Sequence, residues 1–538
     1  MKKIRLSDCG ILPDTDVTLA LCELFKNNAR DTEFIFEDAD YFFSPHEKMQ
    51  YDYRISNSDT MPYRVLGVWL RDMENCTLTG NGARLYYDGH MQAVTMDHCK
   101  NITMRGFFID WKKPLVAEGI VVNIGEKYVD LYVDPVAFPH RFTGSNIEFD
   151  VGNDEWYERN GYSVIQFDEG NLCVRRMTGD RFSPTMTEDL GDNVYRLHTN
   201  TSVNTNLGNV FVLRHNERIH AGIFTEKCEN IRIEDVVVHS CGGLGCLGQF
   251  CHNLTYSGVH FIPNTKAGRK VCGGRDDGMH LTSNSGKIVI ENCTFVGLMD
   301  DPINVHGCSC AVDGAVDEYT LKGRFGHPQA RGFYYWAEKG DEITFIKRGD
   351  MSQVGSAKAA FYELVDIDTF LLRFDEPIPE YIRQLADKGL LSLDNYTHTA
   401  EFECRNNRFG SCRARGILIS TPKPVLVENN YFASSGSAIV IPGDAFYWYE
   451  SGECHDVEIR NNIFTDPCLS SYYGDCEGII SIAPQVPEPD IDKPYHKNIR
   501  ITGNVFDTAD TPVLYAYSVK DLTFKNNRIF KSPAAPKW

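Results

Sequence analysis

A short motif recurs along this chain: an alternating apolar run, an Asn or Asn-Asn, then an aromatic. It reads KIVIENCTF at 287–295, AEFECRNNRF at 400–409, PVLVENNYF at 424–432, DVEIRNNIF at 456–464, NIRITGNVF at 498–506 and DLTFKNNRIF at 521–530. Looser copies lie at 75–82, 100–109, 229–238 and 252–261. Asn407 and Asn430 are 23 residues apart, as are Asn504 and Asn527, Cys76 and Cys99, and Cys228 and Cys251. A coil of this length, built of short β-branched strands, predicts a parallel β-helix. Strands bury alternate residues, and stacked coils bring equivalent residues to about 4.8 Å, so Asn, Cys and aromatic ladders are expected. The other architecture of similar period, the leucine-rich repeat, needs Leu at fixed positions, and Leu is not what recurs here.

Two segments break the period. Residues 115–215 and 309–398 are strand-rich, with Gly and Asn turns, and each is long enough for a small β-barrel or sandwich between coils. The expected organisation is therefore 1–114 as cap and first coils, 115–215 inserted, 216–308 as central coils carrying the active site, 309–398 inserted, and 399–538 as final coils. DTDVTLALCELFKNN (14–28) reads as an amphipathic helix capped by Asp14 or Asp16, placed to cover the open end of the stack.

Composition narrows the function. Of 538 residues, 42% are hydrophobic, ample for a core. The net charge is 54 − 74 = −20, which argues against nucleic acid or an anionic membrane surface as partner. No stretch of about 18 apolar residues exists to span a bilayer. Lys2 and Lys3 imitate an export signal, but the following residues are too polar, so a cytoplasmic location is expected unless a leader has been removed. The 18 cysteines contain no CxxC pair, and most read as small buried hydrophobes, with Cys76 on Cys99 and Cys228 on Cys251 stacked but unbonded.

The repeat also aligns the acidic residues. Setting DDGMHLTS (276–283) against DDPINVHG (300–307) places Asp276 on Asp300 and Asp277 on Asp301, one coil of 24 residues apart. Stacked like charges destabilise unless one is protonated or the group is used. Side chains alternate along a strand, so not all four are expected to face one way. One carboxylic acid beside one carboxylate is what glycoside hydrolysis needs. Solvated turn aspartates and a calcium site are the alternatives the residues leave open. The preceding coil, GGLGCLGQ (242–249), offers small residues that would leave room for a sugar ring. The following one offers Arg413 and Arg415, able to lower an Asp pKa and to bind hydroxyls. FYWYES (446–451) offers Tyr447, Trp448 and Tyr449 as a stacking platform or a plug against an inserted domain, with Glu450 as a polar contact. Arg275, Asp276, His280, Asn304 and His306 flank the doublets as further candidate substrate contacts; for the two histidines a structural hydrogen bond is the plainer role.

GRDDGMHLTSN (274–284), MDDPINVHG (299–307) and NCTLTGNGARLYYDGHMQAV (75–94), with two β-rich insertions, resemble glycoside hydrolase family 110, the exo-acting α-1,3-galactosidases. More distantly the layout is similar to polygalacturonases. The resemblance implies a right-handed parallel β-helix with two inserted β-barrel-like domains, an all-β fold to which the reading of residues 14–28 adds the N-terminal capping helix. It implies removal of terminal α-1,3-linked galactose from a galactose-terminated glycan, as in the blood group B determinant, with inversion and with no metal or other cofactor. Asp277, Asp300 and Asp301 carry over as catalytic carboxylates. By likeness to polygalacturonases Asp300 is the general acid, and Asp277 with Asp301 activates water. Another β-helix carbohydrate enzyme, hydrolase or lyase, and a non-catalytic glycan-binding β-helix are the competing classes. A homodimer is an open expectation that no residue pattern decides.

Overall fold

The computed structural model describes residues 1–58, 63–158, 164–179, 182–215, 218–271, 273–471, 473–474, 476–509 and 511–533. Each motif copy supplies one rung of a parallel stack. Ala400–Arg405 pairs with Val425–Glu428, which pairs with Val457–Arg460, His496–Thr502 and Val519–Lys525 in turn. Inward residues of the first three of these rungs are buried and outward ones are not, as the period of two requires.

The Asn-Asn pair divides its labour. The first Asn takes the left-handed conformation that turns the chain, with φ of 57° at Asn406 and Asn429 and 56° at Asn461, where Asn is tolerated better than other side chains. The second is buried and joins a ladder. The backbone N–H of Asn407 donates to Asn430 Oδ1, Asn430 to Asn462, Asn462 to Asn504 and Asn504 to Asn527, each across 2.9 Å. The aromatic that follows stacks on its counterpart one coil away: Phe409 on Phe432 at 4.5 Å and Phe432 on Phe464 at 5.0 Å between ring centroids.

The stack runs through both insertions. Lys100–Trp111 pairs directly with Glu229–Val238, so the first inserted segment leaves and returns without breaking it. Ser285–Glu291 likewise pairs with Ala400–Arg405 across the second. The second insertion closes a six-stranded antiparallel barrel from Ile303–Ala315, Thr320–Phe325, Thr369–Phe374, Ser352–Leu364, Glu342–Lys347 and Leu391–Asn395. Strand Ile303–Ala315 belongs to both bodies: its first residues pair in the stack and its last in the barrel, which couples the barrel rigidly to the coil that begins at Asp300. The first insertion forms a six-stranded sheet in the order Ile165–Phe167, Val210–Leu213, Ala117–Gly125, Tyr128–Val133, Val194–Thr199 and Pro184–Asp189. A three-stranded sheet accompanies it.

At the N-terminus, helix Thr18–Asn27 buries Leu21 and Phe25, and Asp16 Oδ1 accepts the Thr18 backbone N–H at 2.9 Å, so Asp16 rather than Asp14 is the capping carboxylate. The helix packs on Arg64–Arg71, at the edge of the sheet that holds the acidic doublets. The stack starts earlier than the motif does, because Lys2–Arg5 pairs with Thr32–Ile35 and that strand with Glu74–Tyr87. Among the described residues no helix is long and apolar enough to cross a membrane.

The described cysteines are all free, and all but Cys9, Cys22 and Cys173 are buried; Cys272 lies outside the described residues. Cys228 and Cys251 do stack, since Glu229 pairs with His252. Cys76 and Cys99 do not. Cys76 lies opposite Ile102, and Cys99 is in register with Cys228, whose Sγ accepts its N–H at 3.3 Å. The coil from Leu66 to Gln92 spans 26 residues, because an extra bend between Thr79 and Ala83 lengthens it.

Candidate active site

The two doublets precede two adjacent rungs, Met279–Thr282 and Ile303–Ala315, whose register sets His280 opposite Asn304. Backbone bonds hold that alignment up to the acidic residues: Gly278 N donates to Asp301 O at 3.0 Å, and Gly245 N to Asp277 O at 2.8 Å. Asp277, Asp300 and Asp301 converge, with one carboxylate oxygen of each within 4.8 Å of the others. They form the floor of a cavity of about 690 Å³. Asp276 turns the other way, as alternation demands, and is buried against Arg275 Nη1 at 2.5 Å.

Arginines come from both sides of this floor. Arg413 Nη1 donates to Asp300 Oδ1 at 2.7 Å, and Arg415 donates to both oxygens of Asp301, from its backbone N at 3.0 Å and Nη2 at 2.9 Å. Arg218 Nη1 stands 3.9 Å from Asp300 Oδ2 and donates to Gln329 Oε1 from Nη2. Burial pushes Asp277 above the usual carboxylate range, and the charge of Asp300 adds to it while Arg218 opposes. Burial likewise raises Asp301. At Asp300 burial is outweighed by Arg413, Arg415, Arg218 and Arg214, so its carboxyl is held below the usual range. Among the three, the surrounding arginines thus favour the charged form most strongly at Asp300, while burial favours the neutral form at Asp277 and Asp301.

Of the other candidates, Asn304, Arg413, Arg415, Trp448 and Glu450 line the cavity. Asn304 Nδ2 donates to Glu450 Oε2 at 3.1 Å. Tyr447 and Trp448 are exposed on one wall, and Trp448 also packs on His327 of the second insertion at 4.4 Å, the contact expected of a plug. Tyr449 is not part of the platform: it is buried beneath Gly326 and Arg348. The aromatic loop is held by Asp444, whose carboxylate accepts the backbone N–H groups of Phe446, Tyr447, Trp448 and Tyr449.

Four candidates do not reach the cavity. Arg275 and Asp276 pair with each other behind the floor. His280 and His306 are buried and bond one another, Nε2 to Nε2, at 3.0 Å. The small residues before the doublets also serve another purpose. A Cβ on Gly243 would stand 2.9 Å from His220 O and 3.2 Å from Arg218 Cγ, so this glycine admits the chain returning from the first insertion rather than a sugar.

Sequence reasoning missed Asn57, Arg218, Asp444, Tyr473 and Gln485, all in the cavity wall. None belongs to the repeated motif. Asn57 lies in an excursion before the first full coil and Arg218 at the exit of the first insertion, where no periodicity marks a residue as facing the cleft.

Two stretches match family models described as GLAA-B beta-barrel domain I, at residues 117–211, and GLAA-B beta-barrel domain II, at residues 320–385. The chain is 37% identical to "Alpha-1,3-galactosidase B" of Bacteroides thetaiotaomicron, over 98% of this chain and 86% of that protein. It belongs to glycoside hydrolase family 110. "Alpha-1,3-galactosidase A" of Bacteroides fragilis is 32% identical over 99% of this chain and 88% of that one. Among solved structures, the family 28 exopolygalacturonase of Yersinia enterocolitica aligns over 100% of this chain and 76% of its own, with a TM-score of 0.45 and 11% identity. As a family 110 member the chain is a glycoside hydrolase, and its two inserted domains are those the family models describe.

Proposed function

We propose that this enzyme removes terminal α-1,3-linked galactose from oligosaccharides or glycans by metal-independent general acid–base hydrolysis with inversion. The observation that carries the reading is the convergence of Asp277, Asp300 and Asp301 within 4.8 Å on the cavity floor of a family 110 chain. The cavity has walls from four separate parts of the chain, represented by Asn57, Arg218, Arg413 and Trp448, which suits the end of a glycan better than its middle. Trp448 and Tyr447 offer an aromatic face for a sugar ring. Arg413, Arg415 and Arg218 supply the positive charge beside the carboxylates that a bound cation would otherwise supply.

Asp300 is the most open of the three carboxyls and so the one best able to reach a leaving-group oxygen. Geometry ranks before pKa in choosing a general acid, and three carboxyls this close share protons as a set. On this reading the proton shared by the three carboxyls passes through Asp300 to the leaving oxygen, and Asp277 with Asp301 deprotonates the attacking water.

The spacing favours a second reading. Inverting sites hold their carboxyls roughly 6.5–9.5 Å apart and retaining sites about 5–5.5 Å. One carboxylate oxygen of Asp277 and one of Asp300 lie within 4.8 Å of each other, which is nearer the retaining range. The experiment is hydrolysis of α-1,3-, α-1,4- and α-1,6-linked galactosides with the first-formed anomer followed by proton NMR. β-Galactose released from the α-1,3 substrate alone is the expected result. α-Galactose appearing first would establish retention, and turnover of none of the three would end the galactosidase reading.

A further inference from the structure

Behind the cavity floor runs a buried chain of polar groups that the reaction as drawn above does not use. His280 Nδ1 lies 2.9 Å from Asp277 Oδ2, and His280 Nε2 lies 3.0 Å from His306 Nε2. His306 Nδ1 lies 2.8 Å from the carbonyl oxygen of Gly307. The same His306 Nε2 is 3.7 Å from Glu450 Oε1, and Thr282 Oγ1 lies 3.5 Å from His306 Nδ1, farther than the carbonyl. Asp277 and Glu450 both line the cavity, whereas the two imidazoles do not, so the histidines form an internal bridge between two cleft carboxylates.

The bond pattern fixes where the hydrogens sit. A carbonyl only accepts, so His306 Nδ1 carries a hydrogen. If His306 is neutral, its Nε2 is an acceptor and His280 Nε2 must donate. A neutral His280 then presents a lone pair at Nδ1, and Asp277 Oδ2 must be the donor: a protonated carboxyl. One other arrangement has the same number of protons. Asp277 is a carboxylate, His280 carries its hydrogen on Nδ1, and His306 is an imidazolium whose Nε2 hydrogen points to His280 Nε2, with Glu450 Oε1 3.7 Å from that nitrogen. The two interconvert when the Asp277 proton passes to His280 Nδ1 as the His280 Nε2 proton passes to His306 Nε2. No heavy-atom bond forms or breaks, and no proton is exchanged with the cleft.

We propose that His280 and His306 are positioning residues that relay a proton between Asp277 and His306, so that Asp277 can be emptied and refilled from behind while substrate covers its front. The charged groups around the relay set its balance. Asp300, Asp276, Glu450 and Asp301 disfavour a charged Asp277 and Arg218 favours it, and Glu450 stands 3.7 Å from the His306 ring. Burial lowers His280 to about 3 and raises Asp277, which makes the neutral arrangement the resting one.

The inference rests on the proposed role of Asp277 in hydrolysis, but its hydrogen positions do not, and the test separates the two. Nitrogen-15 NMR of the full chain labelled at histidine, assigned with His280→Gln and His306→Gln, should show neutral His280 protonated at Nε2 and neutral His306 protonated at Nδ1 at neutral pH. Glutamine keeps hydrogen-bonding groups at position 306 but cannot carry the proton. His306→Gln should therefore lower kcat by about tenfold or more with KM nearly unchanged, and move the acidic limb of the kcat profile to higher pH, because Asp277 has lost the site that accepts its proton. A His280 protonated at Nδ1 beside a neutral His306 would overturn the relay, whether or not any galactoside is turned over. So would a folded His306→Gln enzyme with wild-type kcat and pH profile.

Discussion

Arg413 and Asp300 are 113 residues apart in sequence and share a hydrogen bond of 2.7 Å between Nη1 and Oδ1. The barrel domain that separates them leaves and re-enters the stack at adjacent rungs, so the coil after the insertion lands directly beside the coil before it. The insertion costs the site nothing in proximity, and Asp300 is the one of the three catalytic candidates whose pKa the arginines hold below the usual carboxylate range.

Removing that guanidinium should be visible in the pH profile. Asp300 is depressed chiefly by Arg413 against its burial. In Arg413→Ala its pKa rises, so a step that needs Asp300 charged in the free enzyme loses activity at higher pH than in the wild type. The expected outcome is an acidic limb of kcat/KM displaced to higher pH. An unmoved limb would mean that Asp300 does not titrate in it.

Asparagine at each carboxylate tests the roles. Asp277→Asn, Asp300→Asn and Asp301→Asn should each cut kcat by about two to four orders of magnitude, the range of general acid–base catalysis. A substrate whose leaving group needs no protonation should restore turnover to Asp300→Asn and not to Asp277→Asn. Rescue of Asp277→Asn instead would exchange acid and base, as the free-site electrostatics favour.

Trp448 is an exposed face on the cavity wall, held by the loop that Asp444 caps. Trp448→Ala removes stacking worth about 0.5–1.5 kcal/mol. KM for the glycan should rise by up to roughly tenfold with kcat little changed, measured by initial rates. A fall in kcat at constant KM would place Trp448 in the transition state instead.

The Asn ladder makes a prediction about stability. Asn462 is fully buried, accepts from Asn430 and donates to Val427 O at 2.9 Å and to Asn504 Oδ1 at 3.0 Å. Asn462→Ala strands at least two buried groups at about 1–3 kcal/mol each, so a loss of roughly 2–5 kcal/mol is expected in denaturant unfolding. Its neighbour Asn461 sits at a φ of 56° and should accept glycine with little loss. Equal effects at the two positions would contradict the division of labour between turn and ladder.

Much of this was legible in the sequence because a β-helix is nearly one-dimensional. Residues one coil apart become neighbours, so the 24-residue offset between the doublets predicted the stacking of Asp277 and Asp301. The same arithmetic failed for Cys76 and Cys99, where a bend changes the length of one coil by residues that no count of Cys positions reveals. Alternation along the strand was enough to expect that one acidic residue would turn away, but which one depended on the local turn, and the structure chose Asp276. What no period encodes is the side of the cleft built by chain outside the stack. Asn57 and Arg218 reach Asp300 and Glu450 through loops whose path is fixed by packing of the inserted domains. The directions of His280 and His306 are decided in the same way. In sequence each is a polar residue after an acidic doublet, equally suited to a substrate. Only the tertiary structure, by closing the coil over them, turned both away from the cleft and toward each other.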